Sequence, residues 1–153
     1  MTKPRPDSAA QALAEATARA MWARDRAAQA LGIEIVRVAP GRALATMMVR
    51  RDMVNGLAIC HGGLIFSLAD TAFAYACNTY NRNTVAAACH IDFLNPAKEG
   101  ETLAAAAVER ALSGRTGVYD VTVRVGRRTI ALFRGKSYRI AGEVMASLEE
   151  AAR

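Results

Sequence analysis

A chain of 153 residues that is 52% hydrophobic and 22% charged carries enough apolar side chain for one packed domain, which excludes a disordered chain. Its formal net charge of +6 directs attention to polyanionic partners, either nucleic acid or a phosphorylated small molecule such as coenzyme A. Three scattered cysteines, Cys60, Cys77 and Cys89, exclude a disulfide scaffold and fit a reducing cytosol, and no apolar run follows the first basic residues as a secretory signal would require.

Residues 1–7, with Pro4 and Pro6, read as a loose tail. A helix is expected over residues 8–31: Ser8 with Gln11 three residues on is a capping-box signal, and Gly32 is a left-handed terminator. Leu13, Ala20, Ala27 and Leu31 fall near one stripe, which makes this a weakly amphipathic cover helix. Residues 33–38 and 42–50 are β-branched or apolar runs either side of Pro40-Gly41, the pattern of a hairpin.

The next stretch is unlike the rest. From residue 53 to 81 the only formal charge is Asp70, set among Leu64, Ile65, Phe66, Leu68, Phe73 and small residues. Apolar on every side, residues 62–80 read as a helix inside a core. They are too few, and too interrupted by Ser67, Asp70 and Thr71, to cross a bilayer. A lone carboxylate there is costly to ionise unless it is compensated, so Asp70 is either paired from elsewhere or kept for chemistry.

Strand patterns then run to the end. Residues 84–95 alternate Val85, Ala87, Cys89, Ile91 and Phe93 against Ala88, His90 and Asp92. Runs over 102–112, 116–125 and 129–140 follow, separated by Lys98-Glu99-Gly100, Ser113-Gly114 and Gly126-Arg127-Arg128, and residues 141–153 form a tail. This order predicts an α+β architecture: a curled antiparallel sheet wrapped around one central apolar helix, with an extra N-terminal helix. The far side of that sheet would still present Ala86, Ala88, Ala104, Ala106 and Val108, so a homo-oligomer is expected.

Asn55-Gly56, Cys60-His61-Gly62-Gly63, the run L-A-D-T-A-F-A-Y-A-C-N at 68–78 and I-D-F-L-N-P-A at 91–97 carry a resemblance. In them the chain resembles the hot-dog fold thioesterases and, among these, the PaaI subfamily, the hydroxyphenylacetyl-CoA thioesterases of phenylacetate breakdown. The resemblance spans about residues 30–140. It implies a hot-dog domain over 8–140 and hydrolysis of small aromatic acyl-CoA thioesters in the cytoplasm. It also implies a homotetramer, a dimer of dimers with active sites at the dimer interface, and no cofactor beyond the coenzyme A carried by the substrate.

Thioester hydrolysis needs a polarised carbonyl, a nucleophile or activated water, and a thiolate leaving group. The start of a buried helix offers unpaired N–H groups at a partially positive end, and Gly62 and Gly63 leave a carbonyl oxygen room to approach. Either N–H would serve as an oxyanion hole, with His61 at the same helix start. Asp70 lies eight residues beyond Gly62, which is about 80° around the helix and about 12 Å along it. Both cannot easily reach one carbonyl from the same helix. The spacing therefore suggests two subunits with antiparallel helices, and the resemblance implies the same: Asp70 from one protomer, Asn55 and the His-Gly-Gly turn from the other.

Asp70 would attack the thioester carbon or act as base on water; the subfamily resemblance leans toward the nucleophile. Asn55 would hold water or the carbonyl, and Thr71 would hydrogen-bond to the carboxylate or the water. Phe66 and Phe73 flank Asp70 on the helix and would shape an acyl pocket. Lys98, Arg115, Arg127 and Arg128 are candidates for the coenzyme A phosphates. His61 is read as orienting the loop rather than as a base. The cysteines and the two histidines, His61 and His90, lack zinc spacing, so no metal is expected. Nucleic acid would require aromatic platforms or a reading helix, which the sequence lacks. Two alternatives remain: a hydratase or dehydratase pairing His61 with Asp70, and a non-catalytic acyl-CoA-binding module.

Overall fold

The computed structural model describes residues 7–150, with the backbone alone for 148 and 149. The expected first helix is two helices, α1 (Ser8–Trp22) and α2 (Arg26–Ala30). Asp25 makes the break. Its Oδ1 accepts from the Ala28 N–H at 3.1 Å and caps α2, while its Oδ2 accepts from the Tyr75 hydroxyl at 3.1 Å. The cap of α1 is Asp7, which accepts from Ala9 N–H, rather than Ser8; the Gln11 amide reaches Glu15 and the Val38 carbonyl instead of turning back. Gly32, at φ +67°, ends α2 as expected.

Six strands form one antiparallel sheet in the order β1-β2-β4-β5-β6-β3. They are β1 (Glu34–Ala39), β2 (Arg42–Met48), β3 (Thr84–Phe93), β4 (Thr102–Ser113), β5 (Thr116–Val125) and β6 (Arg128–Arg139). The central helix, α3 (Gly62–Asn78), touches all six. It is two residues shorter than the pattern suggested, because the Asn78 side chain turns to bond the Thr84 backbone on β3. Leu68, Ala69, Ala72, Phe73 and Ala76 meet Leu103, Ala105, Val121, Val123 and Phe133 from alternate positions of β4, β5 and β6. The period-2 burial of β5 is the expected one: Tyr119, Val121 and Val123 inward, Thr122 and Arg124 outward.

β3 departs from its predicted alternation. Most of its residues are exposed on both faces, with Val85 at 46% and Phe93 at 53%. It is an edge strand paired only to β6, so one of its backbone edges has no partner strand among the described residues. On the outer face Ala86, Ala88 and Ala106 are exposed as predicted, beside an ion-paired cluster in which Arg110 and Arg134 both donate to Asp120. The chain ends in a short helix, α4 (Val144–Glu150), held by Asn81 and Asn83; the tail residues 1–6 and 151–153 lie outside the described residues. No helix among the described residues is long and apolar enough to cross a membrane.

Candidate active site

His61 caps α3. Its backbone is pinned from both sides, by its own N–H to the Met53 carbonyl at 2.8 Å and by Cys60 N–H to the Ala97 carbonyl at 2.7 Å. Its ring Nδ1 accepts from the Gly63 N–H at 3.1 Å, and its carbonyl accepts from Leu64 and Ile65. Of the first four helical N–H groups three are therefore used. Only that of Gly62 has no partner among the described residues. Gly63 N–H is taken by the His61 ring, so of the two glycines Gly62 alone keeps a free N–H among the described residues.

Asn55 stands beside it across an open cavity of about 390 Å³. Its Oδ1 accepts from Leu57 N–H at 2.9 Å and Ile59 N–H at 3.4 Å, folding the loop into an Asx turn helped by Ala58 at φ +59°. The carboxamide is thereby oriented, and its NH₂ remains for a ligand. The far wall of the cavity is Phe93, Leu94, Asn95 and Pro96. The Phe93 ring lies so close over Gly62 that a Cβ there would be 3.1 Å from it. These four residues belong to the 91–97 motif that carries the resemblance, yet no site role was expected of them; the structure leaves Phe93 and Leu94 about half exposed beside the cavity.

Asp70 is half-buried, two turns along the helix, and makes no hydrogen bond to any described residue. Burial alone pushes its carboxyl above the usual carboxylate range. Its charge also helps raise the thiols of Cys77 and Cys89, for which burial is the main cause. Thr71 does not bond to it. The Thr71 hydroxyl donates to the Ser67 carbonyl at 2.7 Å, which leaves only its lone pairs for a water. Phe73, expected in an acyl pocket, is core: it is 1% exposed and packs on Tyr119, Phe133 and Gly135. Phe66 is half-buried and edge-on to Phe133, one turn before Asp70, and does not line the cavity at Gly62.

The candidate phosphate ligands separate into two groups. Lys98, Arg127 and Arg128 cluster at the Gly62 end, where the Asn95 amide bonds the Thr129 carbonyl. Arg128 is held by Glu101 at 2.7 Å. Arg115 sits at the other end of β5, about 30 Å away at strand spacing. No group of three or more metal-ligating side chains occurs among the described residues.

A six-stranded sheet around one helix, with a glycine N–H at the helix start and a lone carboxylate two turns on, defines a hot-dog thioesterase. Residues 57–131 match the family model of the thioesterase superfamily. The chain is 52% identical over 128 residues to the acyl-coenzyme A thioesterase PaaI of Escherichia coli, covering 83% of this chain and 91% of that one. The structure of the E. coli PaaI protein from the phenylacetic acid degradation operon superposes with a TM-score of 0.86 at 50% identity, over 87% of this chain and 97% of that one. A mutant phenylacetic acid degradation protein PaaI from Thermus thermophilus gives 0.74 at 39% identity, over 76% and 100%. The chain belongs to the thioesterase superfamily and, within it, to the PaaI subfamily. It is a thioester hydrolase acting on acyl-CoA.

Proposed function

We propose that this enzyme hydrolyses CoA thioesters of small aromatic acids, of the phenylacetyl or hydroxyphenylacetyl type, in sites shared between two subunits. One observation carries the shared site: on a single helix, the Gly62 N–H and the Asp70 carboxyl are both unpaired, yet stand about 12 Å apart. A second copy with its α3 antiparallel brings each group opposite the other. The bare edge of β3, ten residues long and exposed on both faces, supports pairing with its own copy there. The small apolar residues of the outer sheet face support a further contact between two such dimers, giving a tetramer. The choice of aromatic acyl group rests on the phenylacetic acid degradation named for the E. coli and Thermus relatives.

In the site the thioester carbonyl oxygen accepts from the Gly62 N–H of one subunit and from the Asn55 carboxamide. Asp70 of the other subunit, desolvated and so more basic, attacks the carbonyl carbon. The oxyanion collapses, the carbon–sulfur bond breaks and CoA leaves as thiolate. Water then cleaves the acyl–Asp70 anhydride, returning the carboxylate and releasing the acid. In the second route Asp70 takes a proton from water, which attacks directly. Lys98 and Arg127 are placed to meet the CoA phosphates at the Gly62 end, with Arg128 partly neutralised by Glu101. His61, with Nδ1 occupied as a cap acceptor, is poorly placed to be a hydratase base. Cysteines left as free thiols and an acyl-CoA substrate support a cytoplasmic reaction in which the only coenzyme is the substrate's own coenzyme A.

A hydrolysis panel over phenylacetyl, hydroxyphenylacetyl, benzoyl and straight-chain CoA esters tests the substrate class, with the first two expected to give the highest kcat/KM. Equal rates on straight-chain esters would reject it. Single-turnover reaction in heavy-oxygen water separates the routes: label enters the Asp70 carboxylate only if that group is the nucleophile.

A further inference from the structure

The geometry points to His61 as a positioning residue for this reaction: its neutral imidazole, accepting from the Gly63 N–H, sets which backbone donor faces the substrate. The inference rests on the Gly62 oxyanion role proposed above and extends it to the side chain that prepares the donor.

A helix start presents several N–H groups, and a substrate oxygen can settle on whichever is unpaired. Here the ring of His61 takes one of them. The 3.1 Å contact from Gly63 N–H is made to Nδ1, so that nitrogen carries a lone pair and the ring proton sits on Nε2. A Cβ at Gly63 would lie 3.3 Å from the same Nδ1, so a larger residue would push the ring away. Leu64 and Ile65 N–H go to the His61 carbonyl. The cap residue thus occupies three of the four donors and leaves Gly62 alone. Its backbone, at φ −61° and ψ 130°, is fixed by the Met53 carbonyl, and the Phe93 ring covers the other side of Gly62.

The exposed ring makes no other hydrogen bond among the described residues. The orientation of the neighbouring donor is a geometric function, and any side chain offering an acceptor at the position of Nδ1 performs it. A proton-transfer role would require the imidazole itself.

The pair His61→Ala and His61→Asn separates the two. Both are assayed for kcat and KM on the best acyl-CoA ester, at a temperature where thermal melts show each variant fully folded. Asp70→Asn is carried alongside. The cap role predicts that His61→Ala loses about tenfold in kcat with KM nearly unchanged, less than the 10²–10³ lost with a whole oxyanion donor. His61→Asn, whose carboxamide oxygen can accept from Gly63 N–H, returns kcat to near wild type. His61→Asn as slow as His61→Ala, with Asp70→Asn inactive, overturns the cap and leaves the site reading standing. Wild-type kcat in His61→Ala also overturns it. Full turnover in Asp70→Asn defeats the site reading and the cap's catalytic role together.

Discussion

The two halves of the central helix treat their polar groups in opposite ways. In the second half every one is bonded. The Tyr75 hydroxyl donates to Asp25 and Asn78 ties the helix to β3 through Thr84; just beyond the helix end the Tyr80 hydroxyl, and from β5 the Tyr119 hydroxyl, both donate to Glu109. Burial and these carboxylates push the Tyr80 hydroxyl up to about 12 and that of Tyr119 higher still, so both remain neutral donors. In the first half the Gly62 N–H and the Asp70 carboxyl have no partner among the described residues. Both groups are only partly buried, so the unpaired donor and the unpaired acid are open to a ligand in a way the second half's bonded groups are not.

The comparison can be broken by variants at either half. The largest effect belongs to Asp70→Asn, expected to lower kcat by about 10²–10⁴ while the oligomer survives, as size-exclusion and acyl-CoA assays would show. Next is Gly62→Pro. Proline fits the first helical position and the extended ψ of 130° at His61, so it deletes the donor while respecting the backbone. The expected loss is about 10²–10³ in kcat, with Phe93 shifting to make room. Tyr119→Phe, on β5 beside the second half of the helix, leaves Glu109 one donor short and should lower stability by about 1 kcal/mol in a denaturant melt with kcat unchanged. A kcat loss there would erase the contrast between the halves.

The smallest effect concerns pH. Burial raises the Asp70 pKa, so the folded protein holds this proton more tightly than the unfolded chain does. Stability from this group is thus lost as pH rises from the ordinary carboxylate value through the raised one, whereas the active, ionised form grows in over the same interval. Asp70→Asn should therefore melt higher than wild type at neutral pH, with the gap closing in acid. The acid limb of wild-type kcat should lie above the ordinary carboxylate range.

The sequence carried the strand order, the central helix and the lone carboxylate, because period-2 and all-round apolar patterns survive folding unchanged. It did not carry the break at Asp25, whose second oxygen bonds Tyr75 fifty positions away. Nor did it show that β3 is an edge, since alternation describes faces and says nothing of neighbours. Phe73 looked like a pocket wall because it shares a helical face with Asp70; the glycine at 135 on β6 is what admits its ring to the core. Gly62 and Gly63 were equivalent as letters, and only the His61 ring distinguishes them.

The central claim is that Asp70 and Gly62 serve one site from two chains. Asp70→Asn and Gly62→Pro, differently tagged and co-expressed, test it directly in the purified hybrid population. In a mixed dimer one site then has both groups intact and the other has neither. With one intact site of two, the purified hybrid is expected to return about one half of wild-type activity, from two variants that are nearly inactive alone. Hybrids as inactive as their parents would place both groups in a single chain and contradict the account.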